Sequence, residues 1–346
     1  MDANVIERRN NDLLDLVKFI LSFVVVAIHT HLFDPYLYPW LTLATPLFFI
    51  ISSYLFFQKL NACEYDRQTL LLLKRFVLRN LKLYAFWFVV LFPVNIFIYD
   101  WFDYGLLRGI VNILQNILVG STFIASWFLS ALIIGITIVF FASRTFSNTS
   151  ILIIGSILYV LVSMRSSYMF LFTDLPLGFL EGIANYESIM NSPVNSFPAG
   201  LFWIICGKLF ADGYFSKFKI KESIIVLVIS AVLLLTEWIL IWHFSDKSSR
   251  DLYFMTAPCA LAIFSILIQL KQINLRYARE MRKISIIIYA SHGTLVRGLS
   301  YIFGLLDWSV PSFVTFVIVS AACSCLGILI LYLEKKKYFK WLKYSH

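Results

Sequence analysis

The residues with the clearest potential for chemistry lie in one apolar stretch, Asn11 to His31, which reads NDLLDLVKFILSFVVVAIHTH. Among its Phe, Ile, Leu and Val it carries Asp15, Lys18, Ser22 and His29. In an α-helix, at about 100° and about 1.5 Å per residue, the path from Lys18 to His29 makes three turns plus about 20° and rises roughly 16 Å. The two side chains therefore share a face. Asp15 falls one turn before Lys18 and Ser22 one turn after it, so all four form a single stripe. Ionisable groups at membrane depth are costly and ordinarily face a bundle interior or a wet cavity. Histidine exchanges protons near neutrality, which suits His29 to general-base work on a hydroxyl nucleophile. A plain hydrogen bond to a neighbouring helix is the alternative. Lys18 either snorkels to the interface or, neutralised by Asp15 at i,i+3, turns inward and offers a cation to an anionic donor.

Three further places carry candidate groups. His292 lies mid-stretch in KISIIIYASHGTLVRGL and is a second buried imidazole. Glu237 is isolated in LLLTEWILIW and needs a partner that the sequence does not name. The segment RQTLLLLKRFVLRNLK, residues 67–82, is the most basic. Its Arg75 and Arg79 stand at i,i+4 and share a helix face, with Lys74 and Lys82 beside them. Arginine forks bind phosphate bidentately, so this segment reads either as a cradle for a nucleotide-bearing donor or as an ordinary cytoplasmic flank.

These groups need elements to hold them, and the composition says which. Of 346 residues, 60% are hydrophobic and only 14% charged, with mean hydropathy +0.80. Soluble domains are about 25% charged. The pattern is that of an all-α polytopic membrane protein, one domain over residues 1–346, with no role for nucleic acid despite the net charge of +9. Ten spans are predicted, about 15–33, 40–58, 83–99, 124–142, 149–165, 198–211, 223–244, 253–270, 284–304 and 311–333. With both termini cytoplasmic, 23 of the 29 Lys and Arg fall inside and 4 outside, and the other two lie within spans. The first span is too long for a signal peptide and is followed by Asp34-Pro35 with no small-residue cleavage site, so it is expected to remain.

Two outer segments stand out. Residues 100–123 contain an amphipathic run suited to lying flat on the membrane. Residues 166–197 carry Asp174, Glu181 and Glu187 but no Lys or Arg, and are too apolar for disorder. They are expected to dip into the interface or cover a cavity mouth. The basic, aromatic tail EKKKYFKWLKYSH reads as an anchor on anionic lipid. The five cysteines are scattered, which indicates neither a disulfide frame nor a metal site.

The order of motifs resembles acyltransferase family 3, integral-membrane enzymes that O-acylate cell-surface glycans and related acceptors. The family's first helix has Arg, ten residues, then His; here Lys18 and His29 hold that spacing, with Lys in place of Arg. TPLFFIISSYLFF is similar to the family's Pro-Leu-Phe-Phe…Ile-Ser-Gly-Tyr element, with Ser53 at the glycine. Arg75 and Arg79 fit the spaced arginine pair before the third span. SWFLSALI around Trp127, FPAGLFWIICGKL, and ISIIIYASHG with His292 complete the series. The resemblance implies an acyl-CoA donor, with acetyl-CoA expected, and no bound cofactor or metal. It implies a surface or lipid-linked glycan acceptor and a multi-pass place in the cell membrane, the bacterial inner membrane. It puts His29 and Lys18 at the reaction and Arg75 with Arg79 at the donor, with His292 and Trp127 as further candidates; position along the chain adds Asp15 beside Lys18, Lys82 and Lys74 beside the arginines, and Glu237 and Ser22 as candidates. Lysine is a point charge without the guanidinium fork. No esterase-like or racemase domain follows in this sequence, so acyl delivery is expected to finish here or on a separate partner. Two other readings stay open. A transporter of an acyl group or small anion would use the same stripe as a relay, although matching broken helices in two halves are missing. A sensor or assembly subunit would leave Lys18 and His29 without a use.

Overall fold

The computed structural model describes residues 11–33, 37–63, 65–98, 101–102, 105–172, 177–244, 251–271 and 273–346. They form thirteen α-helices: α1 Asp12–His29, α2 Tyr38–Leu41, α3 Ala44–Asn61, α4 Asp66–Ile98, α5 Leu106–Val119, α6 Trp127–Thr145, α7 Asn148–Arg165, α8 Leu177–Met190, α9 Phe197–Ala211, α10 Ile220–Phe244, α11 Thr256–Gln269, α12 Ala278–Leu305 and α13 Ser312–Leu333. No strand occurs among the described residues.

Each predicted span has its helix. Among the described residues six helices are long and apolar enough to cross a membrane, or seven if the pair bent by 44° ahead of and including α9 counts as one span. α11 is shorter, with 14 residues, while α1 carries Asp12, Asp15 and Lys18 inside its apolar run. The third span begins much earlier than expected. The basic segment is no separate loop: it is the first half of α4, a helix of 33 residues and about 50 Å. Arg75 and Arg79 are thereby carried on the same rod that enters the bundle.

α9 is the hub. Every residue from Pro198 to Phe210 is buried, because the helix packs against α3, α6 and α7 at once. Close approach to α3 depends on Gly207, where a Cβ would overlap the Ser53 hydroxyl and the Ile50 carbonyl oxygen. Ser53 is fully buried and turns its own hydroxyl onto the Phe49 carbonyl at 2.8 Å. At the basic end, Lys208 joins this lock by donating to Asn148 at 2.8 Å and to Asp212. By contrast, α7, α10 and α13 expose long runs of Ile, Leu and Val, as expected of a lipid-facing rim.

α1 packs along α12 and brings its polar stripe against that helix. The two segments expected on the outer side behave unequally. α5 exposes Leu106, Ile110, Leu114 and Leu118 on one face, and is tied to α8 where Gln115 donates to the Ser188 and Ile189 carbonyls. Asp174 lies outside the described residues. Glu187 pairs with Arg165 at 2.9 Å. The tail docks back on α4 rather than extending away. The Trp87 indole N–H donates to the Ser345 carbonyl at 3.0 Å, and Trp341 lies against Phe86.

Candidate active site

Two cavities enter the bundle from opposite ends. The one at the basic end has a volume of about 470 Å³, within the usual range of ligand pockets. Lys18, Lys59, Arg75, Arg79, Arg282 and Lys283 line it, and no carboxylate side chain does. His346 closes part of its mouth. Lys283 pairs with Glu334 at 2.8 Å and Arg282 with Asp15 at 3.2 Å. Among the described residues Lys18, Arg75 and Arg79 make no ion pair. Six cations and no lining carboxylate side chain make the cavity's field positive.

The opposite cavity, about 140 Å³, is lined by His29, Tyr38, Thr42, Thr45, Trp127, Asn195, Asp251 and Tyr289 among apolar side chains. The Tyr38 hydroxyl donates to Asp251 at 2.9 Å. Val194 and Asn195 belong to the end of the connection 166–197, so that part walls a cavity, one of the two expectations for the segment.

Behind His29 lies His292, with ring centroids 5.0 Å apart. His292 is fully buried. Its Nδ1 sits 2.7 Å from the Tyr289 carbonyl oxygen and 3.2 Å from that of Ile288. Carbonyls only accept, so Nδ1 carries the hydrogen, and Nε2 of the neutral ring is an acceptor. That Nε2 has no hydrogen-bond partner among the described residues. A buried acceptor left unmade costs about 1–3 kcal/mol, which calls for a donor at that point.

The predicted residues thus divide. Lys18 and His29 do share a face of α1, but open into different cavities. Arg75 and Arg79 line the basic cavity. Lys74 and Lys82 do not: Lys74 is turned off that face of α4, and Lys82, two turns on from Arg75, sits over the Tyr344 ring. Asp15 pairs with Arg282 instead of Lys18, because α12 brings a guanidinium to it. Ser22 is fully buried, donates to the Phe19 carbonyl at 2.7 Å and lines neither cavity. Trp127 lines the outer cavity. Glu237 lines neither cavity. It accepts from the Phe254 and Met255 N–H groups at 2.7 and 2.9 Å, capping the start of α11. Sequence reasoning missed Arg282, Asp251, Tyr38 and Asn195. Only Tyr289 had a signal, as part of the quoted ISIIIYASHG segment.

The described residues form an all-helical bundle of membrane type, with a cation-lined cavity toward one end and a histidine pair toward the other. The family follows from comparison: a family model described as an acyltransferase domain matches residues 11–332, and the chain belongs to that family, acyltransferase family 3. It is also 23% identical over 341 residues to a protein of Enterococcus faecalis named amino-acid racemase, an alignment covering 93% of this chain and 46% of the relative. The chain thus spans about half the length of that relative. No solved structure matches.

Proposed function

We propose that this protein transfers an acyl group, acetyl in the first instance, from cytosolic acyl-CoA to a hydroxyl of a cell-surface or lipid-linked glycan. The observation that carries the reading is the pairing on α1: Lys18 opens into the cationic cavity and His29 into the cavity beyond. The ten helices in the predicted stretches all cross the membrane, with both termini on the cytoplasmic side, as the 23-to-4 distribution of Lys and Arg favours. A bacterial inner membrane suits an enzyme with a cytosolic donor and a surface acceptor.

In this reading the phosphates of the donor lie against Arg75, Arg79 and Lys18. The acceptor sugar enters the outer cavity, where Trp127 offers an aromatic face and Tyr38, Asn195 and Asp251 offer hydrogen bonds. In the reacting state His29 turns its N–H onto His292 Nε2, which is unpartnered among the described residues, and this fixes the His29 tautomer and leaves its other nitrogen as the base. That nitrogen takes the hydroxyl proton as the oxygen attacks the thioester carbonyl. The carbon–oxygen ester bond forms, the carbon–sulfur bond breaks, and the thiolate takes the proton from His29 to leave as CoA thiol. Exclusion of water as both substrates fill the site would strengthen the electrostatics.

Reconstituted protein given labelled acetyl-CoA and an envelope glycan fraction should put label on the glycan, and His29→Ala should not. Unchanged transfer by His29→Ala would remove the base from the scheme. Two cavities opening at opposite ends also favour a second reading, a transporter of an acyl group or small anion; it predicts vesicle flux with no covalent product. The racemase name belongs to a relative of which this chain covers 46%, and is not carried over.

A further inference from the structure

The two cavities are distinct spaces, and the boundary between them crosses three helices. On α3 it runs between neighbours: Phe48 lines the basic cavity and Phe49 the outer one. On α6 it runs between Trp127, outer, and Phe128, basic. On α12 no such pair exists, and Tyr289 alone faces both spaces. Its ring packs on Phe48 at 5.7 Å and Phe128 at 5.3 Å on one side, and lies 5.9 Å from His292 on the other.

These rings are not equally free to move. Phe49 is fully buried and fills the space over Gly200, so it is walled in. Tyr289 has an open volume on each side. One hydrogen bond holds its hydroxyl, a 2.7 Å donation to the Ala125 carbonyl. Ala125 adopts φ 67, the left-handed region that a Cβ disfavours. That turn aims the carbonyl at the tyrosine.

We propose that the Tyr289 side chain is the movable partition between donor and acceptor cavities, latched on Ala125, and that it limits the size of the acyl group that passes. What passes rests on the acyl-transfer reading; the partition itself does not. An acyl group delivered from the basic end can meet a hydroxyl at His29 only when this ring swings aside. A larger residue-289 opening admits longer acyl chains.

The test places a reporter in the outer cavity, Thr45→Cys, in protein reconstituted in oriented vesicles. A small membrane-impermeant thiosulfonate is added to the basic face, and the peptide bearing position 45 is followed by mass spectrometry. With Tyr289 intact, labelling from that face should be slow. Tyr289→Phe removes the latch and keeps the ring, and should speed labelling roughly three- to tenfold, the equivalent of one net hydrogen bond. Tyr289→Ala should speed it by more than about tenfold. Labelling from the other face should stay the same in all three. Equal basic-face rates in the parent and Tyr289→Phe proteins would overturn the proposal even if the alanine variant fails to fold. No acyl donor enters this assay, so its failure is separate from failure of the acyl-transfer reading. In transfer assays, Tyr289→Ala should raise the ratio of longer acyl chains to acetyl.

Discussion

The imidazoles of His29 on α1 and His292 on α12 lie 5.0 Å apart, their planes tilted by 39°. His292 is anchored through Nδ1 to the carbonyl of Tyr289, and its Nε2 is buried without a protein partner. The pair joins a ring that reaches the outer cavity to one that does not.

His292 should therefore act as a positioning residue for His29. His292→Phe keeps a ring and removes the acceptor; it should lower kcat by roughly 10–100-fold with the KM for donor unchanged, part of the 10²–10⁴ that general-base catalysis supplies. His292→Gln restores an acceptor and should recover most of the loss. Equal kinetics for the Phe and Gln variants would argue for packing alone.

Arg75 and Arg79 should set donor affinity. Each Arg→Gln change should weaken acyl-CoA binding by roughly tenfold or more, the scale of a charge-assisted hydrogen bond. Lys74→Gln and Lys82→Gln should bind as the parent does, since neither lines the cavity. Titration calorimetry with acetyl-CoA at two salt concentrations measures both points.

Glu237 should matter for stability and not for transfer. Glu237→Gln weakens two hydrogen bonds at the start of α11, and charged acceptors contribute about 1.5–3 kcal/mol each. The variant should melt earlier in detergent while its KM values hold.

Gly207→Ala should separate α3 from α9. The added Cβ meets the Ser53 hydroxyl and backbone atoms of α3, and overpacking of this kind costs about 1–3 kcal/mol. Adding Ser53→Gly should recover only part of the loss, because the Ile50 carbonyl remains in the way. A double-mutant cycle on melting temperature reads this directly.

The docked tail should loosen in acid. Burial first, then the neighbouring Lys283 cation, holds the His346 imidazole below its ordinary range, against the pull of Glu334. The unfolded tail then binds a proton that the docked tail resists, so docking is full above the ordinary histidine value and weakens as pH falls below it. Hydrogen exchange of residues 337–345 at pH 7.5 and near pH 5.5 should show the change, and His346→Gln should remove it.

What the sequence decided by itself was local. Helical periodicity put Lys18 and His29 on one face of α1 and Arg75 with Arg79 on one face of α4, because 3.6 residues per turn fixes direction within a helix. Hydropathy placed the long apolar stretches, since backbone polar groups in lipid must bond internally. Tertiary structure decided the partners. Asp15 found Arg282, 267 residues away, instead of Lys18 three residues on. Glu237 found the start of α11, and His29 found His292. Tyr289 came to line both cavities, where the sequence showed only one polar stripe. Such choices depend on how whole helices cross, and the crossing is set by contacts such as Gly207 against Ser53, whose partners no periodicity along one segment can name.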